Sequence, residues 1–275
     1  MNDVGWCESM NLVDVIYLLL TALVIYTSLL FLMIFSKHKK KMDVVPKLKK
    51  LPSVTIIVPA YNEEKVIGKV IEDLKNHDYK NIIVIDDGSK DKTSLIAKQH
   101  RAIVLRHIIN RGQGAALKTG IEYALSEGAD IIITFDADGQ HIAEDIEKLI
   151  KPIKEGKADI VLGSRFLKQN SKVPLLRKVF LKGGSLIFRI LYRAKLTDSH
   201  NGLRAMSRKA AKKINITSDG MEHASEIVEE IVRNKLRYTE VPVSIQYTEY
   251  SIAHGQRTSN AFKILFKMTI KRFIK

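Results

Sequence analysis

The sequence predicts an α/β protein built on one doubly wound, mostly parallel sheet. Short apolar runs rich in β-branched residues alternate with stretches of helical periodicity from residue 54 onward. The intervals between these runs are long enough for the crossover helices that parallel strands require. Acidic or small polar residues directly follow several of the runs, which is typical of the functional edge of such a sheet.

The composition is that of a folded protein with a polyanionic partner or surface. Apolar residues make up 45% of the 275 positions and charged residues 27%, which is typical of a globular chain. The net charge of +15 indicates binding to nucleic acid, anionic lipid or phosphate ligands. The single cysteine, Cys7, excludes an internal disulfide framework and a cysteine-based zinc site.

The first predicted element is a membrane anchor over residues 1–36. Residues 15–35 are 21 consecutive positions without a charge, and a helix of this length spans a bilayer of about 30 Å. The residues before this run are acidic and include no Lys or Arg, which disfavours a signal peptide. A buried core helix is the other alternative.

A lysine cluster follows the apolar run. Seven lysines lie between residues 37 and 50, which predicts a basic juxtamembrane linker over residues 37–52. By the positive-inside rule, the rest of the chain lies on the cytoplasmic side of a single-pass membrane protein. The membrane would be the plasma membrane in a bacterium or archaeon and the ER membrane in a eukaryote.

The remaining elements alternate in type. Strands are predicted at 54–58, 81–85, 103–105, 131–135, 159–162 and 236–247, and helices at 64–76, 91–100, 113–127, 142–154 and 222–235. Pro242 indicates an edge position for the last strand. The glycine-containing segment 110–116 enters a helix without a Walker or Rossmann spacing, so loop packing is favoured over phosphate binding there.

Two carboxylates follow the predicted strand at 131–135. Asp136 and Asp138 are two residues apart, so in extended chain their side chains point to the same side. Hard anionic oxygens at a strand end are typical ligands of a divalent cation that also holds substrate phosphates. The alternative is that both aspartates only initiate the following helix.

Other strand ends add polar groups with a physical role. Tyr61 can stack on a base, and Glu63 or Asp87 can accept hydrogen bonds from a base or ribose. The alternative is that Glu63 and Glu64 only favour a helix start and that Asp86 to Ser89 form only a turn. Arg165 follows the strand at 159–162.

As an ordered set, these motifs resemble the family 2 glycosyltransferases of GT-A fold. The resemblance is to the branch of dolichol-phosphate mannose synthase and the bacterial polyprenyl-phosphate glycosyltransferases, and it covers a predicted GT-A domain over residues 53–251. The motifs are Val58 to Glu64, Asp86 to Ser89, Gly114 to Ala116, Asp136 to His141, Gly163 to Arg165 and Gly202 to Ala205.

The resemblance implies site residues. Those for the nucleotide-sugar are Pro59, Ala60, Tyr61, Glu63, Asp86, Asp87, Asp136 and Ala137. Those for Mg²⁺ or Mn²⁺ are Asp136, Asp138 and Gln140. Arg165 and Arg177 are expected to bind the acceptor phosphate. The loop around Arg257 is a further candidate for phosphate binding that does not come from the resemblance. Asp138 and Arg165 are expected to be catalytic, with Asp198 the best carboxylate to orient acceptor or sugar. Gly202-Leu203 departs from the aromatic that many relatives have after the glycine, so the sugar is left open.

Two basic regions are predicted to face the membrane. Residues 165–213 contain 14 Lys or Arg and one acidic residue, interspersed with bulky apolar residues. Residues 252–275 have apolar residues at helical spacing with basic residues between them, which predicts an amphipathic interfacial helix or a helix docked on the core. Beside a membrane anchor, lipid phosphate is favoured over nucleic acid as the partner.

The predicted function is a membrane-anchored, inverting transfer of a sugar from a nucleotide-sugar to a polyprenyl phosphate on the cytoplasmic face. A diacylglycerol or polysaccharide acceptor is the first alternative, although the Gln-X-X-Arg-Trp signature of processive relatives is absent. An inactive membrane scaffold is the second. A small membrane protein or a second copy of the chain remains open as a partner.

Overall fold

The computed structural model describes residues 12–39, 54–167, 196–198 and 201–246, with side chains in the first range at 16, 17 and 19–30. Several predictions fall outside these residues: the membrane-facing segment 168–195 with Arg177, most of the 37–52 linker, and the 252–275 helix with Arg257. The chain divides into two compact units, residues 1–49 and residues 50–275.

The first unit contains one long helix. Helix α1 is Leu12–Lys39, 28 residues, and includes the predicted apolar run. Its described large apolar side chains from Ile16 to Leu30 are all exposed. Among the described residues, no helix meets the combined length and hydropathy needed to cross a membrane. The anchor therefore stays a prediction.

The second unit is organised around a seven-stranded sheet in the order β3-β2-β1-β4-β6-β5-β7. Its strands are β1 Val54–Ala60, β2 Ile82–Asp86, β3 Ile103–Arg106, β4 Ile131–Thr134, β5 Ile160–Ser164, β6 Arg204–Ser207 and β7 Tyr238–Pro242. Strand β6 is antiparallel to β4 and β5, and every other pairing is parallel. The predicted mostly parallel α/β sheet is confirmed.

Helices connect these strands. They are α2 Ile67–Asn76, α3 Thr93–Gln99, α4 Gln113–Ser126, α5 Ile146–Lys154 after a 3₁₀ turn at Ala143–Asp145, α6 Arg208–Ala211 and α7 His223–Arg233. The central strands are buried on both faces: Ile57 packs in a cluster with Leu117 of α4, while the adjacent Ile56 packs in a second cluster with Leu74 of α2. This alternation is what a sheet covered on both faces requires.

The strand order fixes the position of the functional edge. The chain runs outward from β1 through β2 to β3 and then returns to β4 on the other side of β1. The carboxyl ends of β1 and β4 therefore flank the point where the strand order reverses, which is the usual ligand-binding crevice of an open α/β sheet.

The structure differs from the sequence prediction mainly at β6 and β7. Strand β6 was not predicted because it has four residues and begins with a charged one, Arg204, which gives no alternating pattern. Strand β7 is shorter than the predicted 236–247. Its edge position, indicated by Pro242, is confirmed.

Candidate active site

A cavity of about 360 Å³ opens at the carboxyl edge of the sheet. Its lining includes ten of the predicted site residues: Pro59, Ala60, Tyr61, Glu63, Asp87, Asp136, Ala137, Asp138, Gln140 and Arg165. Asp86 and Asp198 are not part of this lining. The folded chain thus brings together residues that are up to 106 positions apart in the sequence.

Asp136 is held in a fixed orientation at the end of β4. Its Oδ1 accepts a hydrogen bond of 2.9 Å from Gln113 Nε2, and its Oδ2 lies 3.0 Å from His141 Nε2. Burial acts to raise the pKa of Asp136. The hydrogen bond with His141 and the charges of His141 and Arg204 outweigh it, so the pKa lies below its ordinary value. Asp136 is therefore an anion at neutral pH.

Gly202 packs directly against the Asp136 carboxylate. A Cβ at this position would lie 2.1 Å from Asp136 Oδ2, so no other residue fits without displacing the carboxylate. The Gly202 carbonyl also accepts a 2.6 Å hydrogen bond from Thr134 Oγ1 on β4. The close approach of the Gly202 backbone to the Asp136 side chain thus limits where the carboxylate can lie.

Asp138 and Gln140 follow on the same loop. The Gln140 backbone N–H donates to Asp138 Oδ1 at 3.0 Å, and Gly139 between them has a positive φ of 72° that turns the loop back. Gln246 donates from its backbone to the Gln140 carbonyl at 2.8 Å. The loop is therefore held at the cavity wall by one hydrogen bond within it and one from Gln246.

Asp87 is buried and organises the loop after β3. Its carboxylate accepts backbone hydrogen bonds from Arg111 at 3.0 Å and from Gly112 at 2.6 Å, and it lies 2.6 Å from His107 Nδ1. His107 Nε2 in turn lies 2.9 Å from Thr119 Oγ1. Asp87 thus both lines the cavity and fixes its rim.

Asp86 has a structural position one residue earlier. It is fully buried, accepts the Ser89 backbone N–H at 2.8 Å and the Ser94 hydroxyl, and lies 3.6 Å from Arg106 Nε. These contacts form the turn after β2. Of the predicted nucleotide-binding residues, this one lies behind the cavity wall.

The loop after β1 presents Tyr61 and Glu63 to the cavity. Tyr61 is 40% exposed, so its ring has a face accessible to a ligand. The Asn62 backbone donates to Ser89 Oγ at 2.9 Å and that of Glu63 to Thr93 Oγ1 at 2.8 Å. These bonds tie the loop to the start of α3.

The glycine-containing segment packs against another loop, as predicted. A Cβ on Gly112 would lie 2.4 Å from the Asp219 carbonyl oxygen, and one on Gly114 would lie 2.1 Å from that of Ser218. The Asp219 carbonyl accepts the Gly114 backbone N–H at 2.8 Å. Protein carbonyls therefore accept hydrogen bonds at the N-terminus of α4, while Asn110, Gly112 and Gln113 of the same segment also line the cavity.

Arg165 lies on the other side of the cavity, at the end of β5. Asp198 Oδ2 accepts hydrogen bonds from Arg165 Nε at 2.6 Å and from the Arg165 backbone at 3.1 Å. The Glu240 carboxylate on β7 accepts hydrogen bonds from the backbone N–H of Thr197, at 2.8 Å, and from that of Asp198, at 3.0 Å. Asp198 is thus a buried support for Arg165, and Glu240 supports Asp198.

Comparison with known proteins identifies the family. The family model described as "Glycosyl transferase family 2" matches residues 55–215. The chain belongs to this family. It is therefore a glycosyltransferase, and the resemblance seen in its motifs is confirmed.

Two relatives lie in the polyprenyl-phosphate branch by name. A UDP-N-acetylglucosamine–dolichyl-phosphate N-acetylglucosaminyltransferase of Methanococcus voltae is 40% identical, covering 78% of this chain and 94% of the relative. An undecaprenyl-phosphate mannosyltransferase of Micrococcus luteus is 30% identical, covering 70% and 82%.

A solved structure shares the fold of this glycosyltransferase. Glucosyl-3-phosphoglycerate synthase from Mycobacterium tuberculosis, in complex with Mn²⁺ and UDP-glucose, matches with a TM-score of 0.58 and 19% identity over 78% of each chain. At this level of identity the match shows the GT-A type of fold.

Three residues around the site had no individual role predicted from the sequence. Gln113 and His141 hold Asp136, and the charges of Asp136 and Asp198 act to raise the pKa of the buried Arg204. His141 had a weak signal, since it ends the Asp136 to His141 motif. Gln113 lies in the 110–116 segment and Arg204 in the Gly202 to Ala205 motif, but neither had a predicted role, because their surroundings depend on tertiary packing.

The residues at the cavity fit a divalent cation that shares its ligands with a substrate. Within the described part of the chain, no three His, Cys, Asp or Glu side chains cluster as a protein-only metal site. Asp136 and Asp138 line one cavity, and carboxylate oxygens are the ligands that Mg²⁺ and Mn²⁺ prefer. A cation there would take further oxygens from a bound diphosphate.

Proposed function

We propose that this glycosyltransferase moves a sugar from a nucleotide-sugar to the phosphate of a polyprenyl phosphate at the cytoplasmic face of a membrane. The observation that supports this most is the two-sided cavity. Asp136, Asp138 and Arg165 all line this cavity, with the two aspartates following β4 on one side of β6 and Arg165 following β5 on the other.

The donor side has the groups that a nucleoside diphosphate requires. Tyr61 offers a ring for stacking on the base, and Glu63 and Asp87 are carboxylates that accept ribose or base hydrogen bonds. Mg²⁺ or Mn²⁺ would be held by Asp136, Asp138 and Gln140, and when bound it would neutralise negative charge on the diphosphate. The chain's own residues fix these groups before the donor binds.

The acceptor side has a cation supported by a buried carboxylate. Asp198 fixes the Arg165 guanidinium in one orientation, and Arg side chains recognise phosphate through paired hydrogen bonds. Because Asp198 is 2% exposed and bonded to Arg165, we assign it as a positioning residue.

The proposed reaction needs no strong general base. A phosphate monoester is anionic at neutral pH, so its oxygen can attack the anomeric carbon directly. The new bond forms to the acceptor oxygen as the bond to the departing diphosphate breaks, which inverts the configuration at that carbon. Arg165 would orient the attacking phosphate towards the anomeric carbon.

Membrane association completes the proposal. The large apolar side chains described between Ile16 and Leu30 are all exposed on α1. A continuous exposed apolar surface is typical of a site that contacts a membrane or another protein. With the lysines after it, the segment supports a single-pass anchor with the GT-A domain in the cytoplasm. The names of the relatives support a membrane lipid as acceptor.

A direct assay tests this function. Purified full-length protein in detergent is screened against nucleotide-sugars with Mn²⁺, first by thermal shift and then with a short polyprenyl phosphate or diacylglycerol as acceptor. We expect a polyprenyl-phosphate-linked sugar of inverted configuration and no product when EDTA is present. Transfer to diacylglycerol alone would contradict the proposed acceptor, and nucleotide binding without any transfer would favour a scaffold.

A further inference from the structure

The unpredicted strand β6 brings a buried cation to the functional edge. Arg204 is its first residue, paired in register with Thr134 of β4 and with Leu162 of β5. Because β6 runs antiparallel, its first residue lies beside the carboxyl ends of these neighbours. Those two strands lead directly to Asp136 on the donor side and Arg165 on the acceptor side.

Arg204 is buried without full compensation from its surroundings. It is 2% exposed, and its NH1 has no hydrogen-bond partner among the described residues. Burial lowers the pKa of Arg204 to about 10, while the charges of Asp136 and Asp198 act to raise it. The guanidinium is charged at neutral pH, and an unpaired buried charge is costly unless nearby carboxylates offset it.

The segment that leads into Arg204 touches both sides of the site. Asn201 Nδ2 lies 3.5 Å from Asp198 Oδ2, and Asn201 Oδ1 accepts the Leu203 backbone N–H at 3.0 Å. One residue later, Gly202 packs against the Asp136 carboxylate so closely that a Cβ does not fit. Residues 201–204 therefore form one short connection between the donor-side and acceptor-side carboxylates.

The neighbouring histidine does not add a second cation. His223 at the start of α7 is 3% exposed, and its Nδ1 lies 2.9 Å from the Gly220 carbonyl oxygen. Burial, followed by the charge of Arg204, lowers the pKa of His223 to about 4. At neutral pH His223 is uncharged beside the charged Arg204.

We propose that Arg204 is a positioning residue whose buried charge holds Asp136 and Asp198 in place together, coupling the donor side of the cavity to its acceptor side. This inference rests on the proposed function for the roles of the two sides. It assigns Arg204 no contact with either substrate. Its effect passes through Asp136 to the donor and through Asp198 and Arg165 to the acceptor.

The test compares three variants of the full-length protein. Arg204→Met removes the charge with similar volume, and Arg204→Lys keeps a charge. Arg208→Met is the matched control, since Arg208 follows the other end of β6 and donates to the Ala129 and Leu125 carbonyls away from the cavity. Calorimetry measures Mn²⁺-dependent affinity for UDP and GDP, and steady-state kinetics measures the acceptor KM.

We expect Arg204→Met to weaken nucleotide affinity and raise the acceptor KM by about tenfold each, with Arg204→Lys restoring much of both. Arg208→Met should lower Tm without moving either value. In the double variant with Asp198→Asn and Arg204→Met, the acceptor KM should be about fivefold lower than the product of the two single-variant effects. Loss of stability alone in Arg204→Met, or effects of Asp198→Asn and Arg204→Met that simply multiply, would overturn the inference.

The donor readout does not depend on the acceptor. If wild-type protein fails to use polyprenyl phosphate, the proposed function is wrong. The inference about Arg204 is tested separately, because unchanged nucleotide affinity in Arg204→Met would overturn it whatever the acceptor is. Should Arg204→Met not fold, Arg204→Gln replaces it in the comparison with Arg204→Lys. Higher donor affinity in the Lys variant supports the inference, and equal affinity in both contradicts it.

Discussion

The two sides of the cavity are built differently. On the donor side, parallel strands β1, β2 and β4 each end in a loop whose acidic residues also bind nearby backbone, as Asp87 does with Arg111 and Gly112. On the acceptor side, Arg165 depends on residues far along the chain, Asp198 and Glu240. The donor-side carboxylates thus lie in strand-end motifs that are local in the sequence, although Gly202 and Gln246 pack against them from distant positions. On the acceptor side the supporting carboxylates themselves are distant from Arg165.

This difference explains what the sequence could predict. The strand ends at Tyr61, Asp87 and Asp136 followed from apolar runs that stop at polar residues, because that pattern is local. The pairing of Asp198 with Arg165 and the entry of Arg204 between β4 and β5 depend on an antiparallel insertion that leaves no periodic signal. Tertiary packing decides such contacts.

Loss of the donor-side carboxylate has the largest expected effect. Asp138→Ala should lower transfer by about 100- to 1000-fold, because it removes a proposed ligand of the cation that would neutralise charge on the leaving diphosphate. The measurement is initial transfer rate with saturating Mn²⁺. Asp130→Asn, at an exposed carboxylate before β4, is the control and should leave the rate unchanged. A near-normal rate in Asp138→Ala would remove the donor-side assignment.

A small change next to Asp136 should act on the same side. Gly202→Ala places a Cβ against Asp136 Oδ2, so the carboxylate must move and Mn²⁺-dependent nucleotide affinity should fall about tenfold. Gly128→Ala is the control, because no atom lies within 4 Å of its Cβ position; its positive φ of 89° should make this variant less stable without crowding the cavity. Equal nucleotide affinity in both variants would show that crowding at Asp136 has no effect on the donor.

Weakening the support on β7 should affect the acceptor side more than the donor side. Glu240→Ala removes the acceptor of the Thr197 and Asp198 backbone N–H groups, which should raise the acceptor KM by about three- to tenfold. Glu240→Gln retains an accepting oxygen and should fall between Ala and wild type. A loss of nucleotide affinity as large as the rise in acceptor KM would show that Glu240 does not act mainly on the acceptor side.

The smallest effect on chemistry is expected at the opposite end of β5. Hydrogen bonds and the charge of Arg237, despite partial burial, lower the pKa of Asp159 to about 2. Because the native state favours the charged form, its contribution to the free energy of unfolding is present above about pH 4 and is lost as the pH falls towards 2.

Asp159→Asn checks that contribution. The variant should lose about 1–2 kcal/mol at pH 7, a figure discounted because Arg237 is 58% exposed, and the difference from wild type should shrink at low pH. Urea unfolding at several pH values measures it, with transfer per folded molecule unchanged. A stability difference that is independent of pH would show that the ion pair is not its source.

The account depends most on the division of the cavity between Arg165 and the aspartates. The most direct test is to measure the acceptor KM and the Mn²⁺-dependent nucleotide affinity of Arg165→Gln side by side, per folded molecule. We predict that the acceptor KM rises about 10- to 100-fold, as expected for loss of a charge-assisted contact to phosphate, while nucleotide affinity changes less than about twofold. An unchanged acceptor KM, or an equal loss of nucleotide affinity, would contradict the account.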